Sequence, residues 1–152
     1  MISTELNLGR AGQFITIADL LIEGIQAYGT DEGVNYDIVA DVGGKLLKIQ
    51  VKATRKPRLL TVKSKPIYFF QIKRSGKSGI KYYTVGDFDI FALVALDIRK
   101  VFYLPFNEKV KHNSICLRDK NLKYALNGDK ELYYQDLTWQ RCLDELLNAG
   151  QF

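Results

Sequence analysis

A carboxylate, a carboxamide and a lysine lie close together in the sequence, on either side of a glycine pair. Asp37 precedes Gly43 and Gly44, and Gln50 and Lys52 follow them. Two consecutive glycines favour a two-residue β-hairpin turn. Because side chains alternate between the faces of a strand, such a turn would set Asp37 opposite Gln50, with Lys52 on the same face and diagonal to Asp37 at about 7–8 Å. The spacing therefore predicts one small polar patch.

This polar patch carries the groups that phosphodiester cleavage requires. Such cleavage needs a divalent cation to neutralise developing charge and to acidify a water molecule. Asp37 offers a charged oxygen, and the Gln50 side chain and the Val51 carbonyl offer neutral oxygens, which are ligands that suit Mg²⁺. Lys52 could orient the attacking water or stabilise the transition state. The other interpretation is an exposed strand face with an Asp–Lys pair, which contributes little to stability.

The opposite face of the predicted hairpin is apolar and needs a covering element. Its residues are Ile38, Ala40, Leu47, Ile49 and Val51. A helix over residues 9–28, whose apolar side chains recur at helical spacing, is predicted to cover this face, and Gly29 suits its end.

The rest of the chain predicts further strands and one more helix. A loop over 75–79 is expected to be flexible and basic, and a helix over 136–148 has Thr138 as its candidate N-cap. The predicted strands cover residues 36–41, 46–52, 59–62, 67–73, 80–84, 90–96 and 101–104. This order predicts a single α/β (α+β) domain with a central sheet flanked by helices.

Positive charge is concentrated in the middle of the chain. Residues 42–86 include 12 basic residues and no acidic one. They are Lys45, Lys48, Lys52, Arg55, Lys56, Arg58, Lys63, Lys65, Lys73, Arg74, Lys77 and Lys81. Such a segment repels itself unless an anionic partner covers it, and nucleic-acid phosphate is the expected partner. A solvated basic face is the alternative.

The composition argues against several other classes of protein. No apolar run approaches the roughly 20 residues of a membrane helix, and the first residues do not resemble a signal peptide. The two cysteines, Cys116 and Cys142, favour a reducing compartment. Two cysteines and one histidine cannot fill a four-ligand zinc site within one chain.

The hairpin sequence resembles the PD-(D/E)XK nuclease superfamily. YDIVAD followed by LLKIQVKAT is similar to its D…(E/Q)xK signature, and the IQVK form resembles the branch of group I intron-encoded homing endonucleases. The likeness extends to GRAGQF upstream and to YTVGDFDIFAL and VFYLPF downstream, over about residues 8–106.

The resemblance implies a restriction-endonuclease-like core, with a mixed central sheet, and assigns roles to individual residues. Asp37 and Gln50, with the Val51 carbonyl, would bind Mg²⁺ or another divalent cation, and Lys52 would be the catalytic lysine. Gln13 lies where relatives usually carry a glutamate that projects from the first helix towards the metal. Two readings of Gln13 stay open: the natural enzyme tolerates it, or it replaces a glutamate and inactivates the protein.

The resemblance also implies a sequence-specific, metal-dependent endonuclease that cuts both strands of DNA. The expected DNA contacts are Lys48, Arg55, Lys56, Arg58, Lys63, Lys73, Arg74, Lys77 and Lys81. Cutting two strands needs two active sites, so a dimer or tetramer is expected. Location in the bacterial cytoplasm, at the nucleoid and without a membrane partner, is implied as well.

We expect a single domain, and two other functions are compatible with the sequence. Residues 1–152 would form one nuclease domain, with a core over 8–106 and a helical extension over 107–152. A Holliday-junction resolvase or restriction-type nuclease of the same fold is one alternative. A non-catalytic nucleic-acid-binding module is the other.

Overall fold

A computed structural model describes residues 3–110, 113–124 and 131–151 of the chain. Two helices, α1 and α2, and a 3₁₀ turn over Tyr134–Asp136 accompany ten strands, β1 to β10. The elements are α1 (Thr4–Ile22), β1 (Gln26–Gly29), β2 (Ile38–Val42), β3 (Lys45–Thr54), β4 (Tyr68–Gln71), β5 (Arg74–Gly76), β6 (Gly79–Lys81), β7 (Ile90–Ala95), β8 (Lys100–Pro105), β9 (Ser114–Arg118), β10 (Leu132–Tyr133) and α2 (Trp139–Asn148).

A five-stranded mixed sheet forms the centre of the fold. Its strand order is β1-β2-β3-β7-β8. The pair β3–β7 is parallel, and the other neighbours are antiparallel. All six residues of β7 are buried, as expected for an apolar strand covered on both faces. This arrangement confirms the predicted α/β class with a mixed central sheet.

Helix α1 packs on one face of this sheet through a glycine. Ser3 caps the helix, since its side chain accepts a hydrogen bond from the Leu6 backbone. A Cβ at Gly12 would lie 2.9 Å from the Ala53 Cβ and 3.4 Å from Val51 Cγ1, so this position has no room for a side chain. The absence of a Cβ therefore lets the helix approach β3 closely.

The two faces of the central sheet contribute to two apolar clusters. The first contains the apolar hairpin face, with Ile38, Leu47 and Ile49, together with Leu20 of α1 and Leu146 of α2. This packing confirms the predicted apolar face and its cover by the first helix. The second cluster joins the central sheet to a three-stranded sheet of order β10-β9-β4.

Several predicted element boundaries are wrong. Helix α1 ends at Ile22 rather than at residue 28, because Gly24 takes a positive φ of 83° and the chain then enters strand β1. Residues 75–79, predicted as a flexible loop, belong to the β5–β6 hairpin, in which Gly79 has a φ of 103°. Residues 59–62, predicted as a strand, form bends and a turn.

The C-terminal segment also differs from the prediction. Strands β9 and β10 lie within residues 107–152, so a helical extension describes this segment incompletely. The last helix starts at Trp139, with Thr138 as its N-cap as predicted. Strand β9 alternates the buried Ile115 and Leu117 with half-buried residues, as a strand with one covered face does, but this alternation spans only five residues and is a weak signal.

Candidate active site

The β2–β3 hairpin has the register that its two glycines predict. Val39 pairs with Lys48 and Val42 pairs with Lys45 across the turn. The turn glycines have φ angles of 59° and 87°, the double left-handed conformation of a type I′ turn. The Asp37 backbone N–H donates to the Ile49 carbonyl at 2.9 Å, so the ladder extends one residue beyond β2.

Asp37 lies at the centre of the polar patch. Its Oδ2 accepts hydrogen bonds from the Gln50 Nε2 and from the Val51 backbone N–H, each at 2.9 Å. Gln50 is buried, with 8% of its surface exposed. Among the described residues, none donates a hydrogen bond to Asp37 Oδ1. The carboxylate is therefore held by one oxygen while the other stays available to a ligand.

Burial and charge act in opposite directions on Asp37 and Lys52. Burial raises the pKa of Asp37, and the Val51 hydrogen bond and the charges of Lys52 and Arg74 oppose that rise. Burial also lowers the pKa of Lys52, against the attraction of Asp37. Both shifts arise because the charged form of each group loses water. Desolvated acids and bases of this kind concentrate at functional sites.

Three further residues line the patch, and the sequence interpretation gave only one of them a role. The Lys52 ammonium lies 5.2 Å and the Arg74 guanidinium 5.4 Å from the centre of the Tyr83 ring. Arg74 also donates to the Asn35 side chain at 2.7 Å. Burial raises the pKa of Tyr83 to about 12, so the phenol stays neutral near pH 7.

A signal for these residues existed in the sequence but was weak. Asn35 lies two positions before Asp37, so in an extended chain both side chains would point to the same face. Tyr83 begins the YTVGDFDIFAL segment. Arg74 was predicted only as a DNA contact. Its approach to the polar patch depends on how the β5–β6 hairpin folds back, and that hairpin was predicted as a flexible loop.

Gln13 lies on α1 next to Gly12, the residue through which the helix contacts β3. Its side chain is half-buried. No hydrogen bond between described residues joins it to Asp37, Gln50 or Lys52. The structure therefore brings Asp37, Gln50, Val51 and Lys52 together and places Gln13 on the helix that packs against the same strand.

The chemistry of these donors fits a hard divalent cation. Asp37 Oδ1 and the Val51 carbonyl are oxygen ligands, which Mg²⁺ prefers. The Gln50 Nε2 faces Asp37 Oδ2 at 2.9 Å and the Val51 carbonyl at 3.5 Å, so the Gln50 amide would have to turn over to offer its oxygen to the same cation. The described residues contain no group of three or more histidine, cysteine, aspartate or glutamate side chains that could hold a metal, and Asp37 is the one carboxylate among the expected ligands. A cation is thus supported by ligand type, with one carboxylate to attract it.

The predicted DNA-binding side chains lie mostly on the surface. Lys73 is half-buried. The other predicted DNA-binding side chains are exposed, namely Lys48, Arg55, Lys56, Arg58, Lys63, Arg74, Lys77 and Lys81. The β5–β6 hairpin pairs Arg74 with Lys81, with Lys77 at its turn. The hairpin thus carries cations from the polar patch out to solvent. No helix in the described part of the chain is long and apolar enough to cross a membrane.

Comparison with known proteins identifies the class of protein. The family of PD-(D/E)XK endonucleases matches residues 7–126, which include the hairpin, β7 and β8. The chain belongs to this family, as the resemblance of its hairpin sequence predicted. The family is one of nucleases that hydrolyse phosphodiester bonds, and its members typically use a divalent metal.

A solved structure of a bacterial homing endonuclease, I-Ssp6803I, has the same fold. The two share 18% sequence identity with a TM-score of 0.67, and the match covers 98% of this chain and 98% of that one. The likeness therefore includes β10 and α2, which lie beyond residue 126, where the family match ends. No curated protein matches the sequence.

Proposed function

We propose that the chain is a sequence-specific, metal-dependent endonuclease of the intron-homing type that cuts both strands of DNA. The observation that carries the proposal is the Asp37 carboxylate, hydrogen-bonded to Gln50 and Val51 on the strand that also carries Lys52. Membership of the PD-(D/E)XK family supports phosphodiester hydrolysis. The fold shared with a homing endonuclease supports the finer assignment.

Each residue of the patch has a proposed role in hydrolysis. Asp37, Gln50 and the Val51 carbonyl would hold Mg²⁺ or a similar cation, which supplies positive charge to the phosphate and acidifies a water molecule. Lys52 orients the attacking water and stabilises charge on the phosphate oxygens. Tyr83, buried against both cations, fixes the directions of Lys52 and Arg74.

Gln13 is proposed to weaken this activity. The resemblance places a glutamate at this position, and cation affinity falls as carboxylates are removed, because the attraction is mainly electrostatic. A Gln13→Glu variant is expected to cut supercoiled plasmid-library DNA in Mg²⁺ at rare discrete sites, about 10-fold or more faster than the unchanged chain. Equal rates would show that Gln13 is tolerated. EDTA should stop cleavage in either case.

A non-catalytic nucleic-acid-binding module is the second candidate. It is favoured by one observation: two of the four expected catalytic positions, Gln13 and Gln50, are uncharged. Metal-dependent cleavage by the Gln13→Glu form would eliminate it. A resolvase or a restriction-type nuclease would instead be recognised by preference for branched DNA or for a short palindrome in a substrate panel.

We also propose how the chain is organised, how it assembles on DNA and where it is located. We propose one nuclease domain over residues 1–152, with the core over 8–106, located in the bacterial cytoplasm at the nucleoid. The described residues of each chain form one such polar patch, so a double-strand break would require a dimer or a tetramer on double-stranded DNA. Sedimentation with a cleavable duplex would show more than one chain per DNA, and a strict monomer would contradict this.

A further inference from the structure

The loop that follows β3 is ordered by its own hydrogen bonds and presents an apolar tip. Its base is closed by Arg58 and Ile67, whose backbones exchange two hydrogen bonds at 2.8 Å and 3.0 Å. At the tip, the Ser64 hydroxyl donates to the Thr61 carbonyl at 2.8 Å and accepts from the Thr61 N–H at 3.0 Å. We call residues 59–66 the tip loop.

The apolar residues of the tip loop face solvent. Val62, at the turn, is 96% exposed, and Leu59 and Leu60 are 53% and 56% exposed. An isolated exposed apolar residue needs no explanation, but a group of three on an ordered loop indicates a contact surface. The Tyr124 hydroxyl donates to the Pro66 carbonyl at 2.9 Å, which holds the loop to the body of the protein.

The charge around the tip loop selects the occupant. Arg55, Lys56, Arg58, Lys63 and Lys65 are all exposed, and residues 42–86 carry no acidic side chain. Arg58 lies over the Phe69 ring, with its guanidinium carbon 3.5 Å from the ring centre, a contact that favours this direction of the side chain. A second copy of this loop would bring like charges together, whereas duplex DNA would neutralise them.

We propose that the tip loop enters a groove of duplex DNA and that Val62 presses between base pairs as a wedge. Proteins that insert apolar side chains between base steps do so mostly from the minor groove, and they unstack the step and kink the duplex. Here the flanking lysines would contact the phosphates while Val62 contacts the bases. The proposal rests on the proposed function, since it adds a DNA-deforming contact to a DNA endonuclease.

The test uses the full-length chain and a mixed-sequence 30-base-pair duplex. The duplex carries 2-aminopurine at flexible TA steps and a fluorescence donor and acceptor at its ends. Val62→Ala should weaken binding by about tenfold, because each apolar carbon removed from the contact loses about the transfer free energy of one methylene. It should also lower the 2-aminopurine signal and the end-to-end energy transfer. A fully exposed residue can be truncated without loss of folding stability.

Ile22→Ala is the matched control, because Ile22 is 84% exposed at the end of α1 and lies outside the basic segment. The control should bind and bend DNA as the unchanged chain does. If Val62→Ala binds within twofold of the unchanged chain and gives the same 2-aminopurine signal, the wedge is wrong while the nuclease proposal stands. If Val62→Ala instead lowers the sedimenting mass without changing DNA affinity, the loop is a protein interface. Absence of duplex binding by the unchanged chain would overturn both proposals.

Discussion

Strand β3 and the tip loop are neighbours in the chain and contain similar apolar residues, but their environments are opposite. Leu47, Ile49 and Val51 of β3 are 1%, 0% and 7% exposed, whereas Val62 of the tip loop is 96% exposed. Strand β3 has β2 and β7 as hydrogen-bonded neighbours and α1 above it. The tip loop pairs with no strand of the described residues beyond the bridge between Arg58 and Ile67 at its base, and a hydrogen bond from Tyr124 to the Pro66 carbonyl holds it to the body of the protein.

This difference separates the two tasks that a nuclease must perform. Strand β3 carries Gln50 and Lys52 and holds Asp37 through hydrogen bonds from Gln50 and Val51. Burial there raises the pKa of Asp37 and lowers the pKa of Lys52. The tip loop and the β5–β6 hairpin carry exposed cations, and the tip loop also carries exposed apolar side chains. We propose on this basis that catalysis takes place at the central sheet and that the elements beyond it bind DNA, and this division can be tested.

The largest expected effect comes from the lysine at the polar patch. In the Gln13→Glu background, Lys52→Met should reduce the single-turnover cleavage rate about 1,000-fold, because a cation aimed at the reacting phosphate is lost. Lys48→Met is the matched control on the same strand. Lys48 is exposed beside Tyr36, so its loss should act through binding and cost less than about tenfold. Equal losses of cleavage rate in the two variants would contradict the division between catalysis at the central sheet and DNA binding elsewhere.

The second prediction concerns the contact of α1 with β3. Gly12→Ala should destabilise the protein in urea unfolding by about 1 kcal/mol, because overpacking costs about 1–3 kcal/mol and helix propensity returns up to about 1 kcal/mol. Gly9→Ala is the control in the same helix, since its Cβ would meet nothing within 4 Å. It should stabilise the protein by about 0.5–1 kcal/mol. Stabilisation by both would show that the helix does not pack as described.

The smallest effects are expected for single surface cations. Lys77→Ala and Lys81→Ala should each weaken duplex binding a few-fold and reduce the slope of log affinity against log salt by about 0.9. Fluorescence anisotropy at several salt concentrations measures this slope. Arg141→Ala is the control, because Arg141 pairs with Asp136 and Glu145 on the C-terminal helix side and should leave the slope unchanged. If neither substitution changes this slope, the β5–β6 hairpin does not contact the DNA phosphates.

The central sheet could be predicted because its signals are local. The glycine pair fixed the register of β2 and β3, and alternation separated Ile38 and Ile49 from Asp37 and Gln50. The family signature lies within the same hairpin. These features depend on residues fewer than about 20 positions apart, so they can be recognised from the chain alone.

The remaining elements depend on contacts between distant segments. Residues 59–62 have a strand-like composition but no partner strand, and tertiary context decides such segments. Strand β9 pairs with β4, more than 40 positions away along the chain, and its alternation is short. Tyr83 contacts Lys52 and Arg74, and Asn35 contacts Arg74. The spacing of these residues along the chain does not predict that they meet at the polar patch.

Cleavage and binding by an Asp37→Asn variant in the Gln13→Glu background test the central claim most directly. The account predicts that Mg²⁺-dependent cleavage falls about 1,000-fold while affinity for a mixed-sequence duplex stays the same or rises, because a negative charge near the phosphates is removed. Parallel loss of cleavage and binding would contradict the assignment of catalysis to the β2–β3 hairpin. Undiminished cleavage would contradict it as well.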